Sequence, residues 1–453
     1  MTIAAADRIP TSVVLRYGLG QVGAQVFRDT PAVLLPLFLT TMLGVEAWVA
    51  GLVVLIPKLW LIVCDPLVGG LSDRMKAKIG RTPFLIGGAF GTALGFVSLF
   101  AVSAYSSPAM AAFVTCVLFF LAATAFSVYS VPYLAIAAEL SHDTNERNRI
   151  MVLRMVFATI GVLLGVGAAQ PLVQYFGGGP HGWRAMSWVL GAVCLVTMLI
   201  TAQSLRKTPL IPSDQPPGSL RGQIAQVRKN RPFVILLVTS FISNVGQASS
   251  YTALGFVFIY VVKAVWLIPF FILAMSSAAI LSQPLWLWLP RRIGKPRSYV
   301  LASTLWALVT ITWLWVSPLS ATMVQMPFGQ PMLLDHVLVI VRALAIGAVN
   351  GGFIMLALSM MTDTVDYQRR NMGVASEGVF AGLFSAFEKL AFAVGPVIAG
   401  VVLSLFGFVS STGVEVPQTA TAIGGIVLLY SVIPAAMQGI ALLVFRKYKL
   451  PAG

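Results

Sequence analysis

The sequence predicts an all-α polytopic membrane protein with twelve transmembrane helices, and three observations support this fold class. Of its 453 residues, 58% are hydrophobic and only 10% are charged, which is far more apolar than ordinary soluble domains. Apolar stretches of about 20 residues, the length that crosses a bilayer core, recur from Ser12 to Phe445. The basic residues are concentrated in alternate loops between these stretches.

Runs of this length must be helical, because backbone polar groups in lipid need partners within the segment, whereas a barrel strand would be only about 10 residues long. The predicted helices cover residues 16–40, 47–71, 83–104, 108–138, 149–175, 184–203, 232–262, 265–289, 298–317, 335–361, 374–407 and 421–445.

The net charge of +15 reflects membrane topology rather than nucleic-acid binding. Lys and Arg cluster after the even-numbered helices, whereas the opposite loops carry little beyond Arg184 and Lys263. By the positive-inside rule, both termini then lie in the cytoplasm. We expect an integral plasma membrane protein, in a bacterium an inner membrane protein, that is monomeric and has no nucleic-acid partner.

The chain divides into two halves that repeat. Residues 206–231 form the longest polar stretch and predict a cytoplasmic linker between six-helix bundles at residues 1–205 and 232–453. The segment "CDPLVGGLSDRMKAKIGRTPFLIGG" after Val63 is echoed by "SQPLWLWLPRRIGKPRSYVLAS" after Leu281. Parallel six-helix repeats are the plan of major facilitator transporters, whose substrate site lies near the bilayer midplane.

Charged residues within the apolar helices are candidate functional residues, because each costs at least about 2.5–3.5 kcal/mol to insert. Asp65 precedes Pro66 in helix two, and Lys58 shares its face but lies about 10 Å away along the axis. Asp65 therefore needs a partner from another helix, and Lys389, near the middle of helix eleven, is the leading candidate. A static structural ion pair is the alternative interpretation.

Helix seven carries neutral polar residues at helical spacing, which predict a stripe facing protein or water. Hydroxyls and amides suit a polyhydroxylated or zwitterionic solute, although the same groups also hold helices together. The stripe consists of Ser240, Ser243, Asn244, Gln247, Ser250 and Tyr251.

These motifs resemble the glycoside-pentoside-hexuronide:cation symporter family, the melibiose-permease-like branch of the major facilitator superfamily. Four segments carry the likeness, and they occur in the same order as in the family. They are "YGLGQVG" from Tyr17, "KLWLIVCDPLVGGLSDR" from Lys58, "VPYLAIAAELSHDTNERNRIMVLR" from Val131 and "DTVDYQRRNMGVASEGVFAGLFSAFEKLAF" from Asp363.

The resemblance implies a coupling-cation site with one carboxylate fewer than usual. In the family, helix two commonly carries two cation-binding carboxylates four residues apart; Asp65 matches the second, and Leu61 takes the place of the first. Lys389 matches the family's helix-eleven lysine, and Ser127 matches a hydroxyl residue of its helix four. Lys58 stands where the family usually has arginine. One carboxylate favours a proton over sodium, which prefers several oxygen ligands, and uncoupled transport is the alternative.

The resemblance implies a substrate site that departs further from the family. Gln25 and Ser130 occupy the positions of the acids that hold galactosides, and Leu134 occupies that of a stacking tryptophan. Arg154 matches the helix-five arginine, while Arg28 and Asp29 add charge close to Gln25. The expected substrate contacts are Gln25, Arg28, Asp29, Ser130, Arg154, Asn244, Gln247 and Tyr251.

Acid-and-Arg segments at the inner ends of the helices predict a cytoplasmic gate of ion pairs across the two halves. Asp73 with Arg74 and Arg81 resembles the superfamily's loop signature. The other expected gate residues occupy equivalent inner ends, and they are Glu146, Arg147, Asp363 and Asp366.

The leading hypothesis is symport of a sugar, glycoside or similar small polar solute, with a proton as coupling ion and no cofactor or metal. A lysophospholipid transporter of the same fold is the second hypothesis. A non-transporting receptor or assembly factor is the third, and it comes from a different class. The three histidines are scattered and the sequence has no nucleophile constellation or nucleotide-binding loop, so we do not expect an enzyme.

Overall fold

The computed structural model describes residues 9–101, 104–140, 143–206, 227, 229–316, 322–325, 331–372 and 377–450. Residues 207–226 and 228 of the predicted linker lie outside these ranges. The described residues group into two compact units, one within Met1–Gln215 and Ser410–Val416, the other within Pro216–Val409 and Pro417–Gly453.

The first unit consists mainly of helices, and its segment Ser410–Val416 is non-helical, with Thr412 forming an isolated antiparallel bridge to Leu43. A π-helical turn, Leu163–Gly167, joins the fifth and sixth helices. The helices are α1 (Thr11–Met42), α2 (Ala47–Ile79), α3 (Thr82–Ala101), α4 (Pro108–Glu139), α5 (Thr144–Val162), α6 (Ala169–Tyr175) and α7 (Gly179–Leu205).

The second unit adds one small hairpin of β1 (Met323–Val324) and β2 (Met332–Leu333), which pair antiparallel. A π-turn, Val257–Val261, and two short 3-10 turns, Val265–Leu267 and Thr312–Trp315, extend its helices. The helices are α8 (Arg231–Phe256), α9 (Ile268–Leu281), α10 (Gln283–Ile293), α11 (Lys295–Ile311), α12 (Leu334–Met372), α13 (Glu377–Leu405), α14 (Ala420–Tyr430) and α15 (Val432–Phe445).

The predicted number of membrane helices is consistent with this structure. In the described ranges, 10 helices are long and apolar enough to span a bilayer, and the pair α9 and α10, bent by 44°, brings the number to 11. The helix α1 is long enough, at 32 residues, but Arg16, Arg28 and Asp29 make it more polar. Counting α1 as a further span on the basis of its length would give the predicted twelve.

The same pattern of helix–helix contacts occurs in both units, so the sequence repeat is also a structural repeat. In the first unit, α1 packs against α5 and α7, α3 against α4 and α7, and α2 against α4. In the second unit, α8 packs against α13 and α15, α11 against α12 and α15, and α9 against α12. A shift of six membrane segments converts one set into the other, as expected for a parallel repeat.

Close helix packing in the first unit depends on glycines at four-residue spacing. A Cβ added at Gly91 or Gly95 of α3 would lie 2.7 Å or 2.5 Å from the Cβ of Ala125 or Ala122 in α4. By contrast, nothing lies within 4 Å of a Cβ at Gly87, and the adjacent Gly88 makes the close approach instead. Small residues thus bring α3 and α4 together.

Candidate functional site

The predicted coupling acid lies on α2 and contacts α4. The hydroxyl of Ser127 donates a hydrogen bond of 2.6 Å to Oδ1 of Asp65. Ser127 is fully buried and Asp65 is half-buried. The structure therefore brings together two of the residues predicted for the cation site.

Aromatic packing fixes the register between these two helices. The Trp60 ring stacks on Phe120 with centroids 4.8 Å apart, and its indole N–H donates to Thr124 Oγ1 at 2.9 Å. These contacts lie about one helical turn from the Asp65–Ser127 bond. Pro57 and Pro66 both lie inside the uninterrupted helix α2.

The two lysines predicted for the cation site, Lys58 and Lys389, belong to different units. Lys58 is half-buried on α2 and interacts electrostatically with Asp29 and Arg28 of α1. Lys389 lies on α13 of the second unit, where its side chain is exposed. Its pairing with Asp65 stays a prediction.

A ladder of polar side chains runs along one face of α1, and we call Gln21, Gln25 and Asp29 the helix-one ladder. Gln21 Nε2 donates to Gln25 Oε1 at 3.0 Å, and Gln25 Nε2 donates to Asp29 Oδ2 at 2.6 Å. All three residues are at least nine-tenths buried. Their four-residue spacing places them one above the other along the helix.

Two arginines cap the helix-one ladder. Arg154 of α5 donates from Nε to Gln21 Oε1 at 2.9 Å, and Arg28 donates from Nε to Asp29 Oδ1 at 3.1 Å. The side chain of Arg28 is 62% exposed, so its charge reaches the surface of the unit. Four predicted substrate residues therefore form one network, and Gln21 is the member that sequence reasoning missed.

The approach of α5 to α1 is possible because α5 and its π-turn present glycines. A Cβ at Gly161 would lie 2.6 Å from the Cβ of Gln25. One turn further, Thr30 donates its hydroxyl to the carbonyl of Gly165 at 2.7 Å. Side chains at these two positions would clash with α1, so the glycines allow the close packing in which Arg154 contacts Gln21.

Aromatic residues support the other side of Arg154. Its guanidinium carbon lies 6.0 Å from the centroid of the Tyr133 ring, within reach of a cation–π interaction. The Tyr133 ring stacks on Tyr17 with centroids 4.5 Å apart, and each hydroxyl donates to the other residue's carbonyl. Of the nearby residues on α4, Ser130 is half-buried and Leu134 is 45% exposed.

The structure divides the predicted helix-seven stripe on α8 into two parts. Ser240 and Ser243 are buried, at 5% and 1% exposure, whereas Asn244, Gln247 and Tyr251 are half-buried. Ser250 donates to the carbonyl of Leu429 at 3.3 Å, and the Tyr251 ring meets Phe392 of α13 edge-on at 6.4 Å. Only part of the stripe is thus available for solute.

A buried ion network lies where α2 ends and α3 begins. Arg81 donates to Glu139 through Nε at 3.1 Å and Nη2 at 2.7 Å, and Lys76 donates to the same carboxylate at 2.8 Å. Arg81 also contacts Asp73 at 2.7 Å and Ser72 at 2.8 Å. The side chains of Arg81 and Glu139 are each 5% exposed, so this pair is desolvated.

Glu139 was not among the predicted gate residues, although its position in the sequence indicated that it needs a cationic partner. A carboxylate at the last position of a helix faces the negative end of the helix dipole and needs compensation, which Arg81 and Lys76 supply. Burial opposes the charged carboxylate, but these hydrogen bonds outweigh it and lower the pKa of Glu139 below its ordinary 4.5. Burial likewise opposes the charge on Arg81, yet its bonds to Glu139 and Asp73 raise its pKa.

Three of the remaining predicted gate residues have ion-pair partners within their own units. Glu146 pairs with Arg149 at 3.1 Å, and Asp366 pairs with Arg369 at 3.7 Å. Asp363 of α12 pairs with Lys295 of α11 at 2.7 Å. Arg74 is exposed, and the side chain of Arg147 lies outside the described residues. Ion pairs across the two halves stay a prediction.

Comparisons with known proteins identify the family. A family model described as MFS/sugar transport protein matches residues 16–452, and the chain belongs to this family. It is 24% identical over 451 residues to the isoprimeverose transporter of Lactiplantibacillus pentosus, covering 98% of this chain and 90% of that one. It is 23% identical to the glucuronide carrier protein homolog of Escherichia coli (strain K12), covering 96% and 92%.

The solved structures confirm the fold. The nucleoside transporter NupG aligns with a TM-score of 0.65 at 14% identity, covering 96% of this chain and 100% of that chain. The predicted major facilitator fold and the predicted family are therefore confirmed. The chain is an integral membrane transporter for a small-molecule substrate, and its family consists of transporters rather than enzymes.

Proposed function

We propose that this chain is a proton-coupled symporter that moves a sugar, glycoside or similar small polar solute by alternating access. The contact between Asp65 and Ser127 carries the coupling part of this proposal. The transporter would lie in a bacterial inner membrane as a monomer with both termini in the cytoplasm.

The chemistry of the Asp65–Ser127 pair suits a proton. A hydroxyl can donate to a carboxylate and can also accept from a protonated acid, so Ser127 can serve both states of Asp65. Sodium would require several oxygen ligands, whereas Leu61 supplies none at the place of the family's first carboxylate. A proton needs only one oxygen of Asp65.

The substrate assignment rests on the buried polar network of α1 and α5. The network joins the amide of Gln25 and the guanidinium groups of Arg28 and Arg154 to the carboxylate of Asp29. Its amide and guanidinium groups match the hydroxyls and the anionic groups of sugars. The relatives named as isoprimeverose and glucuronide carriers support a sugar or glycoside. Ser130, Asn244, Gln247 and Tyr251 would complete the contacts.

Alternating access coupled to protonation of Asp65 also gives roles to two lysines and to the charged residues at the inner ends of the helices. Lys389, if paired with Asp65, would respond when a proton neutralises that acid, because the lysine then loses its partner. Lys58 would sense the coupling site through the charges of Asp29 and Arg28 beside it. The cytoplasmic gate would consist of Asp73, Arg74, Arg81, Glu139, Glu146, Arg147, Asp363 and Asp366.

A ligand screen on the purified protein tests the substrate class. Its thermal unfolding would be followed with neutral glycosides, anionic glycosides and lysophospholipids at matched concentrations. We expect stabilisation by at least one glycoside, with a midpoint that rises with ligand concentration. Stabilisation by a lysophospholipid and by no sugar would contradict the proposal and favour a lipid transporter.

A further inference from the structure

The hydrogen bonds of the helix-one ladder all run in one direction. Arg154 donates to Gln21 at 2.9 Å, Gln21 donates to Gln25 at 3.0 Å, and Gln25 donates to Asp29 at 2.6 Å. The chain thus links a guanidinium on α5 to a carboxylate two helical turns along α1, about 12 Å from the level of Gln21.

The two ends of the ladder determine the orientation of both glutamine amides. A guanidinium can only donate and an ionised carboxylate can only accept. Arg154 therefore holds the oxygen of Gln21 towards itself, and Asp29 holds the nitrogen of Gln25 towards itself. If either amide flipped, its NH2 group would face another donor, or its oxygen would face another acceptor. Unpaired polar groups in a buried site cost free energy.

This arrangement leaves one edge of Arg154 available. Its Nε is held by Gln21, Nη1 lies 3.7 Å from the sulfur of Met151, and the guanidinium lies over the Tyr133 ring. Among the described residues, Nη2 of Arg154 has no hydrogen-bond acceptor. A solute oxygen could accept from this edge without displacing the ladder.

We propose that Asp29 is a positioning residue for Arg154, acting through Gln25 and Gln21, rather than a direct contact of the solute. This inference rests on the proposed function, because it assumes that Arg154 binds the transported solute. It assigns a role to Gln21 and changes the role that the sequence suggested for Asp29.

Other charges lie close to Asp29, and the test must separate them from the ladder. Arg28 donates to its second oxygen at 3.1 Å, and Lys58 of α2 interacts with it electrostatically. Asp29→Asn removes the charge but keeps an oxygen that can accept from Gln25. Asp29→Leu removes both the charge and the acceptor.

Kinetics of uptake of a labelled anionic glycoside into proteoliposomes test the proposal. For Asp29→Asn, which keeps an acceptor for Gln25, we expect an apparent KM within about threefold of wild type. For Asp29→Leu we expect a rise of roughly 10- to 100-fold with Vmax within about twofold, since the buried amide N–H of Gln25 is left without an acceptor. Because both changes act on one group, Asp29→Leu should add little to the KM of Arg154→Lys. Thermal unfolding checks that each variant is folded.

The possible results separate this inference from the proposed function. Equal KM values for Asp29→Asn and Asp29→Leu, or full additivity with Arg154→Lys, would overturn the inference while wild-type uptake stands. If wild type takes up no polar solute, both fall together. Should Asp29→Leu not fold, Gln21→Leu breaks the ladder at its other end and must raise the KM similarly.

Discussion

Replacing Glu139 with Gln should destabilise the first unit, because it breaks a desolvated ion pair while leaving Arg81 in place. The change removes the negative charge that accepts bonds of 3.1 Å and 2.7 Å from Arg81 and 2.8 Å from Lys76. Breaking a buried ion pair by removing one partner costs about 3–5 kcal/mol. Since Asp73 and Ser72 still contact Arg81, we expect about 2–4 kcal/mol.

Asp73→Asn provides a matched control on the same arginine. The Asp73 side chain is 67% exposed, and exposed ion pairs contribute about 1 kcal/mol or less. Unfolding of both variants in detergent would be followed by tryptophan fluorescence against denaturant concentration. Equal losses for the two variants would refute the argument that burial makes the Glu139 pair strong.

Three further outcomes follow from the same structure. The pKa of Glu139 is lowered in the folded state, so the ionised carboxylate should contribute fully to stability above its ordinary pKa of 4.5. That contribution should be lost as the pH falls through the lowered value. The thermal midpoint of Glu139→Gln should not show this loss when midpoints are compared across pH. Gly95→Leu should cost about 1–3 kcal/mol by overpacking against Ala122, whereas Gly87→Leu, with open space, should leave the denaturation midpoint nearly unchanged. Ser127→Ala should weaken proton-driven uptake more than solute exchange, and equal losses of both in vesicles would contradict its place beside Asp65.

The membrane segments and the place of Asp65 beside Ser127 could be predicted from sequence, because the former depend on strong local signals and the latter on the family resemblance. A long apolar run must be helical in lipid, and a carboxylate in such a run is too costly to be incidental. The family resemblance then related Ser127 to Asp65, and the structure places the two 2.6 Å apart.

The partners of buried polar groups could not be predicted in the same way. The spacing of Gln21, Gln25 and Asp29 is visible in the sequence, but the contact with Arg154 depends on the close packing of α5 on α1, which Gly161 allows. Which neighbour a buried amide contacts depends on the packing of whole helices, and a single sequence does not contain that information.

The exposure of adjacent side chains on α8 could not be predicted either. Ser243 is 1% exposed and Asn244 is half-buried, although both belong to the predicted stripe. Successive residues differ by about 100° around a helix, so a small rotation decides which one faces the bundle interior. The bend of 44° between α9 and α10 was likewise absent from the predicted single helix 265–289, although Pro284 at the start of α10 could have indicated it.

Uptake of a labelled glycoside into proteoliposomes, with and without an imposed pH gradient, tests proton-coupled transport most directly. We expect the gradient to drive accumulation in wild type, and we expect Asp65→Asn to abolish accumulation while glycoside exchange continues. Proton coupling through Asp65 would be contradicted if accumulation were the same with and without the pH gradient, or if Asp65→Asn left accumulation unchanged.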